Sequence, residues 1–235
     1  ISILTPSQRQ IPKTAAMVEH LKNLTFSATS LNMYLRNPYA FYQQYVLGLR
    51  PKEDMLEDPQ GRHVGIFIHS LLEDTFKPFI GKKPVIDDDF KKAFMLLFES
   101  RFHDHFGRGM RTDAFLVKAV IENRLQRFLD IEAKRIFDDV AAVLFIERKF
   151  QDTLDLNGIP VRFSFRVDRV DQLNDGTILI LDYKTGGVDT ASSAVDLSGE
   201  LSRELLRDKL GSFQMPLYLY YLDKQYPQEP VNAAL

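Results

Sequence analysis

A change of pattern near residue 141 constrains the fold of this chain more than any other feature. Before it, apolar residues recur at three-to-four spacing, which predicts helices over about 61–77, 87–106 and 112–139. A polar, acidic loop is expected over 51–60, and Gly107 and Gly109 mark the break between the last two helices. After it, segments rich in β-branched and aromatic residues are separated by turn sequences, as strands are. We therefore expect a mainly helical part, residues 1–140, followed by a sheet and a further helix, residues 141–235.

Three strand-like segments follow the change: VLFIERKF, IPVRFSFRVDRVDQL and TILILDYKT. Asn157-Gly158 separates the first two and Asn174-Asp175-Gly176 separates the last two, and both are hairpin turn sequences. A polar stretch from Gly186 to about Ser202 comes next, then one or two helices ending near Gln225, then one further strand. The sequence thus predicts an α/β fold whose central mixed sheet, an antiparallel meander plus a further strand, is flanked by helices.

Composition narrows the chemistry. Cysteine is absent, which excludes disulfides, thiolate nucleophiles, zinc–thiolate sites and iron–sulfur clusters within the chain. The formal net charge of -2 argues against a uniformly basic nucleic-acid binder but allows a local basic cleft beside acidic ligands. The absence of cysteine also fits the cytoplasmic location that we expect. No apolar run approaches the ~20 residues that span a bilayer, so no membrane contact is expected. The first residue is not Met and the last ones resemble a strand, which favours a segment of a larger protein.

The residues that point to chemistry lie around the second turn. Asp182 and Lys184 are two apart in a strand, so their side chains share a face. The preceding strand carries Asp168, which we expect to lie near Asp182. Paired carboxylates suit Mg²⁺ or Mn²⁺, and a neighbouring lysine can orient water or stabilise charge on a phosphate. The pattern indicates phosphodiester hydrolysis, although an isolated Asp-x-Lys is more often a solvated charge pair.

Five short motifs follow one another between Phe26 and Leu222. They are SATSLNMYLRNPYAFYQQYVLGL at 27–49, Gly65-x-x-x-His69, VDRVD at 167–171, LDYKTG at 181–186 and Gln214-x-x-x-Tyr218. With these motifs in this order, the chain resembles the RecB/AddB-type nucleases of the PD-(D/E)XK superfamily. The resemblance covers most of the chain and implies one nuclease domain over 1–235, with a restriction-endonuclease-like core and a large N-terminal helical portion that carries the His motif.

The resemblance implies a metal site. His69, Asp168 and Asp182 would bind Mg²⁺ or Mn²⁺, with the carbonyl of Tyr183 as a further ligand. Lys184 would act on the attacking water or on the scissile phosphate. From the residues alone, the favoured interpretation of His69 is a core histidine on an apolar helix face.

Further residues receive roles from the same resemblance. Gln214 and Tyr218, four apart on one helix face, would line the site and contact the DNA backbone. Glu147 stands where related nucleases carry an acidic residue and would support a ligand or hold a second metal. The alternatives are a packing face for the first pair and an exposed charge for Glu147. The basic side chains considered for phosphate contacts are Arg166, Arg169, Lys149 and Arg203. Asp171, three residues after Asp168, should face the other way, and a structural pair of Asp171 with Arg169 is the alternative for that arginine.

Two positions depart from the family pattern. Phe165 stands where the family usually has glycine, three residues before the first catalytic aspartate. Asn37 stands where the iron–sulfur branch of the family has cysteine, so a member without an iron–sulfur cluster is expected.

The resulting functional hypothesis is a Mg²⁺- or Mn²⁺-dependent DNA exonuclease that uses a metal-activated water. Its expected partners are DNA and a helicase domain or subunit, in double-strand-break repair and recombination. No Walker-type ATP-binding motif occurs, so a motor would lie elsewhere. One alternative is a catalytically silent nuclease-like module that binds DNA or supports such a complex. A second is a helical interaction domain whose meander is purely structural.

Overall fold

The computed structural model describes residues 11–49, 59–106, 114–185 and 201–234. The elements in chain order are α1 Ala15–Asn23, β1 Thr25–Phe26, α2 Ala28–Arg36, α3 Pro38–Phe41, a π-helical turn Tyr42–Val46, α4 Pro59–Phe76, a 3-10 turn Lys77–Phe79, α5 Asp88–Phe106, α6 Ala114–Asp139, β2 Val140–Leu156, β3 Ile159–Leu173, β4 Ile178–Leu181, α7 Arg203–Leu210, α8 Gln214–Gln225 and β5 Val231–Ala234. The predicted α/β class, with a mixed sheet between helices, is confirmed.

Local sequence explains where the first helices begin. Ser27 caps α2 in a reciprocal arrangement with Ser30, in which each side chain accepts from the other residue's backbone N–H. Asn37 caps α3, and Pro38 occupies its first position, where a missing N–H costs nothing. These caps fix the short helices at the N-terminal side of the described chain.

The two predicted turns create the meander. Asn157 and Gly158 both adopt positive φ, 56° and 81°, as a two-residue hairpin turn requires. Gly176 has φ 88° in the second turn. In the sheet, β3 pairs with β2 and runs antiparallel to β4, while β5 lies parallel to β4 and β1 parallel to β3. β1 was not predicted, because two residues are too few to show a period.

Some boundaries differ from the predictions. The loop expected over 51–60 is wrong at its end, because α4 already begins at Pro59, and proline's φ suits a first helical turn. The rest of that loop, the break expected at Gly107 and Gly109, and 186–200 of the polar stretch lie outside the described residues. Pro216 falls in the first turn of α8, where a proline is tolerated.

The chain divides into two compact units. The first unit comprises α1 to α3, the hairpin tip over 151–165 and α7. Its packing is aromatic: the ring of Phe41 stacks on Phe26 at 6.5 Å between centroids and on Tyr45 at 5.0 Å. Arg203 of α7 donates to the backbone carbonyl of Leu35 at 3.0 Å, which ties α7 to α2.

The second unit comprises α4 to α6, the remainder of β2 and β3, β4, α8 and β5. Its core is built on phenylalanines that recur every four residues along α5, so that all lie on one helix face: Phe94, Phe98, Phe102 and Phe106. α4 and α6 pack their apolar stripes into the same core. This unit contains the strands that carry Asp168 and Asp182.

No helix within the four described stretches of chain has the length and apolar character that crossing a membrane requires.

Candidate active site

The register of β3 and β4 brings the two predicted aspartates together. Arg169 pairs with Leu181, so Asp168 and Asp182 follow as opposite neighbours at the end of the ladder. One carboxylate oxygen of Asp168, Oδ2, accepts the backbone N–H of Tyr183 at 2.7 Å. Asp168 is 8% exposed and Asp182 3%, so both charges are held largely away from water and need partners.

His69 reaches this strand pair from α4. Its Nδ1 lies 3.2 Å from Oε1 of Glu147 and 3.5 Å from Oδ1 of Asp168. Its Nε2 lies 3.1 Å from the carbonyl oxygen of Tyr183. Hydrogen bonds to Asp168 and then Glu147 raise the pKa of His69 to about 10, although burial opposes the shift. The ring is therefore surrounded by oxygen acceptors and does not sit in the apolar core.

Gly65 accounts for the close approach of α4. A Cβ at this position would lie 3.2 Å from Oγ1 of Thr185, the residue after Lys184. Since His69 is one helical turn further along the same helix, the missing side chain at Gly65 lets the helix pass near the end of β4. The spacing of glycine and histidine thus has a physical reason.

Glu147 contributes a third carboxylate from β2. Its backbone has φ 46°, in the left-handed region that non-glycine residues rarely adopt. Such conformations persist where surrounding structure holds them, often at functional sites. Its second oxygen, Oε2, lies 3.5 Å from a guanidinium nitrogen of the exposed Arg166. Glu147 is thus directed at His69 and is not a free surface charge.

Lys184, Gln214 and Tyr218 form a connected group around Asp182. The ammonium of Lys184 forms an ion pair with Oδ2 of Asp182, and Gln214 donates to Oδ1 at 2.6 Å. The amide oxygen of Gln214 accepts from Lys184 at 3.1 Å, and its nitrogen lies 2.9 Å from the hydroxyl of Tyr218. That hydroxyl donates to the backbone carbonyl of Arg166 at 2.6 Å. Gln214 therefore orients both members of the Asp-x-Lys pair.

Electrostatics in this group follow from burial. Burial raises the pKa of Asp182, with the ammonium of Lys184 opposing the shift and the charge of Asp168 adding to it. Burial also raises the pKa of Tyr218, so its hydroxyl stays protonated and remains a donor.

The donor set suits a hard divalent cation. One ligand atom each from His69, Glu147 and Asp168 lies within 4.8 Å of the others. The carboxylates of Glu147 and Asp168 and the nearby carbonyl of Tyr183 are oxygen donors, which Mg²⁺ and Mn²⁺ prefer, and His69 adds one imidazole nitrogen. The cluster contains Glu147, whereas the oxygens of Asp182 are engaged by Gln214 and Lys184.

The basic residues considered for phosphate contacts fall in different places. Arg169 is fully buried and bonded to Asp171 and Glu132, so a phosphate contact is wrong for Arg169, while its structural pairing with Asp171 is confirmed. Arg166 and Lys149 are exposed in the second unit. Arg203 belongs to the first unit.

Sequence reasoning missed Glu132, which completes the surroundings of Arg169. Its carboxylate accepts from Arg169 at 2.7 Å and from Arg135 at 2.7 Å. A usable indication existed, because Glu132 falls on the otherwise apolar stripe of α6 that includes Leu129 and Ile136. A charge on such a stripe must find a buried partner.

Comparison with known proteins identifies the family. The sequence model of the PD-(D/E)XK nuclease superfamily matches residues 25–235, most of the chain. The chain belongs to this superfamily. The mixed sheet flanked by helices described above is consistent with the fold of a PD-(D/E)XK domain.

Relatives of this PD-(D/E)XK chain include two proteins named as subunits of an ATP-dependent helicase/deoxyribonuclease. The one from Streptococcus uberis is 28% identical over 219 residues, which is 89% of this chain and 19% of the relative. The one from Streptococcus agalactiae is 24% identical over 226 residues, with the same two coverages. A Rickettsia felis protein named only as uncharacterized is 28% identical over 167 residues, 70% of this chain and 19% of that protein. The chain spans about a fifth of the length of these relatives.

Proposed function

We propose that this PD-(D/E)XK domain is a metal-dependent deoxyribonuclease that hydrolyses phosphodiester bonds with an activated water. The observation that carries the proposal is the convergence of His69, Glu147 and Asp168 within 4.8 Å, beside the Asp182–Lys184 pair. A purely structural role gives no reason to gather three carboxylates at one place, because like charges repel.

In this proposal His69, Glu147 and Asp168, with the carbonyl of Tyr183, hold Mg²⁺ or Mn²⁺. Asp182 would complete the ligand set once Lys184, now paired with it, contacts the phosphate instead. A divalent cation bound there supplies Lewis-acid stabilisation of the phosphate and lowers the pKa of a water ligand. The ligands are oxygen and imidazole donors without a thiolate, so an iron–sulfur cluster has no place in the proposal.

Lys184 supplies the charge that faces the phosphate. Its side chain is 35% exposed while that of Asp182 is 3% exposed, so the ammonium lies at the solvent side of the pair. There it stabilises negative charge that develops on the phosphate oxygens or orients the attacking water. Gln214 holds Lys184 and Asp182 in one geometry, and Tyr218 holds Gln214 against the carbonyl of Arg166.

We also propose a biological setting from the names of the relatives. The domain would act as an exonuclease within a helicase–nuclease, with DNA as substrate and a helicase domain or subunit as partner, in the cytoplasm. Double-strand-break repair and recombination are the processes that such an assembly serves. The 235 residues would form one nuclease domain of a longer protein, with the helical part at 1–140 and the sheet at 141–235.

A cleavage assay tests the proposal. The purified chain is incubated with circular plasmid and with end-labelled single strands, in Mg²⁺, in Mn²⁺ and in chelator. We expect cleavage with either metal and none in chelator. Asp182→Asn should abolish cleavage, while Asp223→Asn, which changes an exposed carboxylate on α8, should leave it intact. Cleavage by Asp182→Asn, or in chelator, would contradict the proposal. Binding of DNA without cutting in any metal would identify the silent module instead.

A further inference from the structure

A cavity of about 570 Å³ lies in the second unit, beside the end of β4. Its volume falls within the roughly 300–1,000 Å³ that small-molecule sites usually occupy. Most of its wall is apolar and comes from α4 and α6: Val64, Ile68, Ile121, Leu125 and Phe128. None of the roles proposed above uses this space.

The cavity wall offers an aromatic ring. Phe128 is half-buried and meets the ring of Tyr183 edge-on, at 5.8 Å between centroids. Unpaired nucleobases are planar groups with apolar faces, and proteins hold them by stacking on such rings. An aliphatic ligand would also fit the wall, but the charges at the cavity argue for an anion.

Two cationic side chains line the cavity beside the end of β4. Lys184 is one, and Arg124 of α6 is the other. Arg124 is exposed and donates to the carbonyl oxygen of Thr185 at 3.4 Å. No carboxylate among the described residues pairs with it, whereas Arg135, also on the wall, is bonded to Glu132. Arg124 is therefore a cation still available to a phosphate.

The cavity is continuous with the candidate active site. Asp182 and Lys184 line it as well as forming the Asp-x-Lys pair. A ligand that fills the cavity therefore lies next to the phosphodiester bond proposed to be cut. An aromatic group linked to an anion, attached to a further phosphodiester, is the chemistry of a nucleotide within a strand.

We propose that this cavity binds one unpaired nucleotide of the DNA strand, with its base against Phe128 and its phosphate on Arg124. The inference rests on the proposed nuclease function and deepens it, because it assigns the substrate as a strand with an unstacked base beside the cleavage point. A base inside a duplex must first be unpaired and unstacked, which costs a few kcal/mol. The cavity thus favours single strands and frayed ends over intact duplex.

Binding of two oligomers tests the proposal. The 235-residue chain is titrated by fluorescence anisotropy with labelled oligothymidylate and with an abasic oligomer of equal length, in chelator so that neither is cut. The protein should bind oligothymidylate roughly 5- to 150-fold more tightly, as expected for one stacked base. Val64→Phe, which fills the cavity, should bring the two affinities together. If Val64→Phe does not fold, Phe128→Leu replaces it as the test. This substitution removes the ring without filling the space and should likewise reduce the difference between the two affinities.

A pair of exposed arginines on α6 separates the phosphate contact from general charge. Arg124→Gln should weaken the binding of both oligomers and reduce the slope of log Kd against log salt by about 0.7. Arg127→Gln removes the same charge from a neighbouring exposed position and should change the affinity less. Equal effects of the two substitutions would overturn the role of Arg124. Equal binding of both oligomers by the unmodified chain would overturn the role of the cavity.

These measurements distinguish a failure of the nucleotide site from a failure of the proposed nuclease function. Metal-dependent cleavage that Asp182→Asn abolishes, together with equal binding of the two oligomers, would reject the cavity alone. Base-dependent binding without cleavage in any metal would reject the nuclease function while supporting the nucleotide site.

Discussion

Two charged clusters lie on opposite faces of β3, and they differ in how their charges are matched. In the first, which we call the closed cluster, two carboxylates face two guanidiniums: Glu132, Asp171, Arg135 and Arg169. Arg169 donates to Asp171 at 2.6 Å and to Glu132 at 2.7 Å, and Arg135 donates to Asp171 at 2.6 Å. Arg169 and Asp171 are fully buried. The guanidinium of Arg169 also lies 4.5 Å from the ring centre of Phe76.

The second cluster is the candidate active site, where three carboxylates face cations that are exposed or titratable. Lys184 forms an ion pair with Asp182, and a guanidinium nitrogen of the exposed Arg166 lies 3.5 Å from Glu147, which leaves Asp168 as the third carboxylate. His69 balances the remainder only when its ring carries a proton. Adjacent residues of one strand, Asp168 and Arg169, thus enter clusters of opposite design.

The difference teaches how to separate structural from functional charge. A buried set whose charges match inside the protein needs no outside ligand, and removing a member leaves its partners uncompensated. A partly exposed set whose carboxylates are matched by an exposed arginine and a titratable histidine can exchange these partners for a metal cation, as proposed above. The comparison predicts that substitutions in the candidate active site lower the cleavage rate with little change in stability, whereas substitutions in the closed cluster lower the stability with little change in cleavage.

The largest expected effect is a loss of cleavage activity on substitution in the candidate active site. Asp182→Asn should lower the rate of DNA cleavage about 10³-fold or more, because a carboxylate beside the metal and phosphate is lost. Its free energy of unfolding should change little, since the amide can still accept from Gln214 and no charge remains to be buried. Cleavage rate and urea unfolding are measured on the same preparation. If Asp182→Asn is instead much less stable and its folded fraction still cleaves DNA, the candidate active site does not differ from the closed cluster in the way proposed.

The closed cluster should show the reverse. Glu132→Gln should reduce the free energy of unfolding by about 3–5 kcal/mol, because the buried charge of Arg169 loses a partner. Cleavage per folded molecule should stay near that of the unmodified protein. Glu122→Gln, a substitution of the same type on α6 with no such partner described, is the control in urea denaturation. If both variants are equally stable, the closed cluster does not stabilise the fold.

Acid sharpens the same comparison with a smaller effect. Burial opposes ionisation of Glu132, but the hydrogen bonds and charges of Arg135 and Arg169 outweigh it and hold the pKa below its ordinary value of about 4.5. The stabilisation is therefore complete above pH 4.5 and is lost as the pH falls through the depressed pKa of the folded state. The stability difference between the unmodified protein and Glu132→Gln should shrink over that range. Urea unfolding at a series of pH values from neutral to acid measures it, and a difference that grows towards acid would reverse the assigned sign.

The smallest expected effect concerns the spacing between α4 and β4. Gly65→Ala should lower cleavage by less than about 10-fold, because displacing His69 by tenths of an ångström costs much less than a displacement of 1 Å. Removing the opposing atom as well, in Gly65→Ala with Thr185→Ala, should restore part of the rate. A double variant that is worse than the sum of the two single ones would show that close approach is not the reason for this glycine.

Sequence patterns predicted the sheet better than the helical boundaries. Asn157-Gly158 and Asn174-Asp175-Gly176 set the meander because their backbone preferences are local. The start of α4 was placed too late because proline can either end or open a helix, and only the packing of the helix decides which. β1 depends on pairing with Arg162 and Phe163, far away in sequence, and has no local signature.

Part of the candidate site could be predicted for the same reason. Strand periodicity and one turn predict that Asp168, Asp182 and Lys184 lie together, whereas His69, Gln214 and Tyr218 were assigned only through the resemblance to RecB/AddB-type nucleases. The positive φ of Glu147 and the partnership of Glu132 with Arg169 arise only when separate elements meet. Arg124 carried no sequence indication, because an arginine on an exposed helix face is ordinary.

Because Asp168 and Arg169 face opposite sides of β3, only one register of this strand matches both charged clusters. Slipping the strand by one position would exchange the two faces, removing Arg169 from the buried carboxylate of Glu132 and placing Asp168, a like charge, beside it. A buried carboxylate that loses its partner and gains a repulsive neighbour carries an electrostatic penalty. Misaligned chains should therefore be eliminated during folding and should not persist as a stable inactive population.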